Sequence, residues 1–505
     1  MDATYIWTGI VIYIIFASVT AWLSRSRDGS ESSMTGYFLG NRGMSGFLSA
    51  MSYSATTYSA FMLIGLAGLT YAGGVGALGF ELIYLCGVTL VLIFGPRFWL
   101  AGKEFGFVTP SEMLGHRYQN RGVAIVTALT SCVFLIPYSA VQLAGVGYLL
   151  EGMSGENISF TAGTVLATVL AIAFALVAGL RSVVWTDSLQ AIIMIISATV
   201  VVIFVINGLG GVGDFFDKVS ETSPGSLTVP GNGFFSLSAF IGLTLPWIFF
   251  SISNPQVSQR LYTPKSMKDL RVMLLGFMAF GFIYTLVAVT WGFAASIEFP
   301  GLANGDLATP MLLASDLVPT VLGVIVMVGI MAAAVSTIDS ILLTLSSMVT
   351  RDVFAQATPR ATDARQLLVG KIVIPVIAVL AFLFARLELN LIAVLSVSAS
   401  AGLLVMVPPI IGTFFWRRGT AAGVLSGTIV GGIVVGVLEY TKSEAITAGP
   451  LDETGQLLGQ GSGVWGLAVS VALFVGVSLM TKAPKEMADT FSSFMRTKLK
   501  ERQAV

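Results

Sequence analysis

The stretch AAAVSTIDS, residues 332–340, sits in the middle of a long apolar segment. Hydrocarbon offers hydroxyls and a carboxylate nothing to bond with, so such groups survive there around an ion, a solute or water. Ser336 and Thr337 are adjacent, and Ala333 lies one turn before Thr337. Two neighbouring hydroxyls with freed backbone carbonyls make a small, hard, neutral oxygen cage. Such a cage suits an alkali cation better than zinc, which takes imidazole, thiolate and carboxylate ligands, or calcium, which draws several carboxylates. Sodium is the best-fitting ion. Asp339 is two residues past Thr337 and points elsewhere around the helix, toward water behind the cage or a polar neighbour.

Outward from this stretch, the chain is apolar over nearly its whole length. Of 505 residues, 55% are hydrophobic and 11% charged, against roughly 25% charged in a soluble domain. Thirteen apolar segments are long enough to be transmembrane helices: 4–23, 46–70, 77–98, 122–150, 161–178, 186–206, 234–253, 270–294, 318–349, 367–384, 389–415, 419–438 and 462–480. The first has its positive charges, Arg25 and Arg27, after it and lacks a basic leader, so it is expected to be a retained span. With the N-terminus outside, every Lys and Arg except Lys218, Arg386 and Lys442 falls on the cytoplasmic side, as the positive-inside rule asks. The expectation is an all-α polytopic protein of the plasma (inner) membrane with a cytoplasmic C-terminus. The segment MLLASDLVP at 311–319 suggests a short surface helix, and the basic tail from 481 suggests a solvated end or one resting on headgroups.

Three spans are irregular or polar. The second, LSAMSYSATTYSAFMLIGLAGLTYAGG (48–74), is dense in Ser, Thr and Tyr in its first half. Hydroxyls that bond the backbone loosen a helix, and a break around Ala55–Ser59 would free carbonyls at the midplane, although small residues also serve helix packing. The seventh carries Pro246 beside Trp247 and then Asn254-Pro255, either a broken helix or a kinked one. Trp247 would offer an aromatic face to a cavity. In GLRSVVWTDSLQ (179–190), Asp187 opens the sixth span, where a carboxylate is a helix cap or lines an ion exit. In PYSAVQLAG (137–145), Tyr138 and Gln142 share a helix face and can hydrogen-bond a carboxylate or bridge two helices. Glu81 begins the third span and reads as interfacial. His116, the single histidine, lies in a connection and reads as a surface residue.

No nucleophile–base constellation and no Gly-rich phosphate loop is present, so neither an enzyme nor a nucleotide-driven pump is indicated. The near-zero net charge gives nucleic acid no footing, and no segment requires a protein partner. Broken helices with midplane carbonyls belong to ion-coupled secondary transporters. A channel or a membrane sensor remains the alternative class.

On LSAMSYSATTYSAFMLIGLAG (48–68), GLRSVVWTDSLQ (179–190) and AAAVSTIDSILLTLSS (332–347), the chain resembles the sodium:solute symporter family over about residues 4–480. The resemblance implies inverted five-helix repeats, 46–206 (spans 2–6) and 234–415 (spans 7–11), with the second and seventh spans broken. Around them lie 1–45, the external loop 207–233, spans 12 and 13 at 416–480, and the tail 481–505. It implies a sodium site of Ala55, Tyr58, Ala333, Ser336 and Thr337, with Asp187 near the intracellular ion path. It places Thr57, Phe61, Met62 and Trp247 toward the solute. Phe61 and Met62 replace the acidic and amide residues of sugar carriers, which argues against a sugar. The second span and PYSAVQLAG look most like the monocarboxylate and pantothenate branches. A small monocarboxylate is therefore the expected solute, with a proline-like amino acid as the alternative.

Overall fold

The computed structural model describes residues 2–24, 33–177, 180–358, 360–387, 392–443 and 457–503. Among these, the chain is helical throughout and forms no β-sheet, as a membrane interior requires when every backbone polar group must be satisfied within its own segment. Among the described residues, eleven helices are long and apolar enough to cross a bilayer. Two shorter apolar helices, Phe61–Gly73 and Phe160–Leu176, accompany them. Rows of exposed aliphatic side chains, such as Ile12, Leu275, Val321 and Ile433, mark the outer helices as lipid-facing.

The helix Thr320–Met348 is the hub. From residue 329 to 348 every side chain is buried, polar and apolar alike, which is the signature of a helix surrounded on all sides. Around it pack Arg121–Ser154, Phe160–Val177, Leu180–Gly208 and Asp363–Ala385. Close approach elsewhere depends on glycine. A Cβ at Gly87 would lie 2.4 Å from the Ile248 carbonyl, so the third and seventh apolar segments touch backbone to backbone.

The two expected breaks are present, one of them displaced. The helix Gly46–Thr57 stops at Tyr58 (φ −91°, ψ 76°) and resumes as a π-helical turn, Phe61–Leu66, then Ala67–Gly73. By contrast, Leu237–Ser253 runs through Pro246 unbroken, and the interruption falls at Asn254 (φ −81°, ψ 116°). Pro255 drives its predecessor out of the α region, and the Asn254 side chain then accepts the Gln256 amide to start a new turn.

Two peripheral expectations are corrected. The helix Ala308–Ala314 is no surface element: Thr309, Leu312 and Leu313 are buried, and Thr309 Oγ1 donates to the Leu63 carbonyl of the broken segment. The tail folds into Lys485–Gln503 and docks through Ala488, Phe491 and Met495, with the Phe491 ring stacked 5.0 Å from Phe105. These residues fall on one helical stripe, and burying it outweighs the attraction of water for the basic face.

Candidate functional site

Ending a helix at Tyr58 removes the i+4 amides that would have bonded the carbonyls of Ala55 and Thr56. Both oxygens turn to the hub helix instead. Thr337 Oγ1 lies 3.2 Å from the Ala55 carbonyl and 3.3 Å from that of Thr56, and Gln256 Nε2 donates to Thr56 at 2.9 Å. Ala333 is fully buried one turn before Thr337. The Tyr58 ring points away from this point, stacked on Phe277 at 4.9 Å, and a Cβ on Gly281 would strike its hydroxyl. Ser336 departs from the expected arrangement: its hydroxyl donates to Asp187 Oδ1. Among the described residues no group of three His, Cys, Asp or Glu side chains is assembled, so what the break presents is neutral oxygen. That donor set fits an alkali cation.

Asp187 is not a helix cap. Its helix begins at Leu180, and the carboxylate is fully buried two turns inside. Ser52 donates to Oδ2 at 2.7 Å, Ser336 to Oδ1, and the Arg260 guanidinium lies 3.7 Å away. Arg260 also donates to Ser52 at 2.7 Å and to Ser340 at 2.5 Å, and Ser340 meets Thr56 at 3.2 Å. One buried ion pair thus ties the first half of the broken segment to the hub and to the turn after Asn254. Arg260 is a residue the sequence reading missed, although it stands in NPQVSQRLY directly behind the break. Asp339 faces another way: with Tyr13, Gln190 and Ser336 it lines a small cavity, and its Oδ1 has no partner.

A second group gathers on the far side of the break. Phe61 stacks on Trp247 at 4.8 Å, and the Trp247 ring also meets Phe250 at 4.5 Å, Tyr84 at 5.3 Å and Phe80 at 5.9 Å. Tyr138 joins through Phe250 at 5.9 Å. Thr57, Phe61, Met62, Tyr138, Gln142 and Trp247 are all buried. The polar atoms of this group are unusual in lacking partners: Thr57 Oγ1, the hydroxyls of Tyr58, Tyr84 and Tyr138, Trp247 Nε1 and both ends of the Gln142 amide. Buried polar atoms are ordinarily paired, so these are donors and acceptors open to a polar guest. Glu81, expected at the interface, is fully buried in the helix Gly76–Val88, whose Phe80 and Tyr84 meet Trp247, and neither carboxylate oxygen is bonded. His116 remains a surface residue; partial burial among Phe105, Phe107 and Phe491 holds its imidazole below the ordinary value.

The model of the sodium:solute symporter family matches residues 37–431. The chain belongs to this family. Among its relatives, the sodium/pantothenate symporter of Haemophilus influenzae is 28% identical over 431 residues, 84% of this chain and 88% of that one. The sodium/proline symporter of Staphylococcus aureus is 26% identical over 508 residues, 98% and 96% of the two chains. The fold is that of a solved sodium-coupled sialic acid symporter, with a TM-score of 0.76 at 18% identity, covering 95% of this chain and 98% of the other. A nucleobase-cation-symport-1 family transporter shares it more loosely, at 0.56 and 13% identity over 91% and 98%. As a sodium:solute symporter, the protein is a multi-pass membrane transporter and not an enzyme. It couples a small organic solute to sodium.

Proposed function

We propose that the protein imports a small organic carboxylate, in the simplest case a monocarboxylate, together with sodium. A proline-like amino acid, which presents the same carboxylate, is the second reading. Sodium is held by the carbonyls of Ala55, Tyr58 and Ala333 and the hydroxyls of Ser336 and Thr337. The solute lies against Thr57, Phe61, Met62, Tyr138, Gln142 and Trp247, with Tyr138 and Gln142 hydrogen-bonding its carboxylate and the aromatic wall covering its apolar body. Sodium bound between the broken segment and the hub fixes the chamber, so each ligand strengthens the other's binding. The chain crosses the membrane thirteen times with its N-terminus outside and C-terminus in the cytoplasm. Segments 46–206 and 234–415 are the inverted repeats, and rocking between them exposes the site to each side in turn. Asp187 and Asp339 line the way by which sodium leaves.

The observation that carries this reading is the Thr337 hydroxyl lying 3.2 Å from the Ala55 carbonyl at the helix break. It joins the two elements through the very oxygens a sodium ion would draw in. The test is uptake into vesicles under sodium or potassium gradients, for the wild type and for Ser336→Ala with Thr337→Ala. The double variant should need at least tenfold more sodium for half-maximal uptake. Unchanged sodium dependence would sink the assignment.

A further inference from the structure

The helices Leu90–Phe105 and Met267–Glu298 lie side by side and run in opposite directions. Trp99 Nε1 donates to the Pro264 carbonyl at 2.7 Å and Lys103 Nζ to that of Lys265 at 3.3 Å. Further along, a Cβ on Gly95 would come 3.6 Å from the Leu270 side chain. Beside this contact is a groove of about 300 Å³. It opens toward lipid, since Leu92, Ile93, Val272 and Leu275 on the same two helices are exposed.

The groove is apolar at one end and cationic at the other. Val91, Leu92 and Leu274 line the first, and Arg97 and Arg271 the second. Arg97 stands about 9 Å past Val91 along its helix, and Arg271 about 4.5 Å before Leu274 on the opposed one, so both arginines fall toward the same bundle end as Lys103 and Lys265. Leu499 of the helix Lys485–Gln503 adds a third wall.

Among the described residues, neither arginine forms an ion pair. Arg97 is partly buried, donates to the Ile93 carbonyl of its own helix, and sets its guanidinium 4.7 Å from the centre of the Phe415 ring. Asp269, two residues before Arg271, is engaged elsewhere, accepting the Gly46 amide at 2.7 Å and the Ser266 hydroxyl at 2.5 Å. Glu104 lies two turns beyond Arg97, near the end of its helix. Two cations therefore face one lipid-side groove with no carboxylate lining it.

We propose that this groove binds one anionic membrane phospholipid, its phosphate held between Arg97 and Arg271 and an acyl chain laid against Val91, Leu92 and Leu274. A guanidinium beside hydrocarbon needs a counterion, and its planar fork matches phosphate oxygens. Basic pockets between transmembrane helices take acidic headgroups for this reason. The apolar end selects a lipid over a soluble anion, and the two unpaired cations favour an acidic headgroup over one that brings its own cation. Through Leu499 the bound lipid also joins the tail helix to the two membrane helices.

Native mass spectrometry of the full chain in detergent tests this, with dioleoylphosphatidylglycerol titrated against dioleoylphosphatidylcholine. The wild type should retain one phosphatidylglycerol at a concentration about tenfold lower than phosphatidylcholine. Arg97→Gln with Arg271→Gln should abolish that preference, and each single replacement should reduce it about threefold. Leu92→Trp, which fills the apolar end and keeps both arginines, should weaken retention of either lipid. Lys482→Gln with Lys485→Gln removes two charges far from the groove, Lys485 standing about 21 Å from Leu499 along the tail helix, and should change nothing. Equal retention of the two lipids by the wild type overturns the proposal. So does a preference that survives loss of both arginines, or one that falls equally in the lysine control, since either reports diffuse surface charge. Retention untouched by Leu92→Trp, or displacement of the lipid by inorganic phosphate, overturns the groove as a lipid site. If the double arginine variant does not fold, the single replacements and Leu92→Trp decide the question.

Discussion

Replacing Asp187 with Asn should be among the most damaging single changes in the protein. The perturbation removes one charge from a buried pair whose atoms lie 3.7 Å apart, with neither side chain more than 6% exposed. At that separation and an effective dielectric constant of about 20, the Coulomb attraction is roughly 4 kcal/mol. The loss also leaves the Arg260 guanidinium charged and uncompensated, a situation that typically costs about 3–5 kcal/mol. Ser52 and Ser340 stay within reach of Arg260 and recover only part of that. Asp187→Asn should therefore lower stability by about 3–4 kcal/mol in equilibrium unfolding in mixed micelles. Arg260→Gln alone should cost a similar amount. The two together should cost less than either, because no net charge then remains buried. A single-variant cost below about 1 kcal/mol, or a double variant as unstable as the sum of the singles, would refute the pair as a structural tie.

Other perturbations separate the parts of the site. Gln142→Leu should raise the half-saturating solute concentration severalfold while sodium activation holds, since both amide ends of Gln142 lack protein partners; unchanged affinity would return Gln142 to packing. Asp306 lies between the long helices, fully buried, with Oδ2 accepting the Ile392 amide at 2.9 Å. Burial pushes its carboxyl up to about 7, against the opposing pull of that amide. Because the folded value stands above the unfolded one of about 3.9, its contribution is complete below about pH 4 and is lost as pH rises to about 7. Unfolding measured between pH 4.5 and 7.5 should show a smaller decline for Asp306→Asn than for the wild type, and equal slopes would exclude the effect.

Most of the fold was legible because a bilayer leaves so few choices. Apolar runs of sufficient length become helices. The break at Tyr58 followed from the hydroxyl density before it. Pro246 was the weaker guide, since its missing amide can be tolerated within a helix, whereas Pro255 acts on the conformation of Asn254 before it. The tail carried a readable stripe in Ala488, Phe491 and Met495, but its basic composition drew attention to the opposite face. Arg260 escaped because its partner lies in a different helix, and local spacing says nothing about such pairs.

The depth of a charge is the property the linear pattern conveys least, and it changes the meaning of Glu81 and Asp187 alike. Asp187 looked like the opening residue of a helix and is buried two turns within one; Glu81 looked interfacial and is buried beside the aromatic wall. These two buried acids stand under different constraints. The first is matched by Arg260 in every position that keeps their two elements together, so its charge is an internal affair of the protein. Neither oxygen of the second has a hydrogen-bond partner. A charge kept in a dry interior is costly without a partner, so depth and pairing, and not position along an apolar run, set what each acid does to stability.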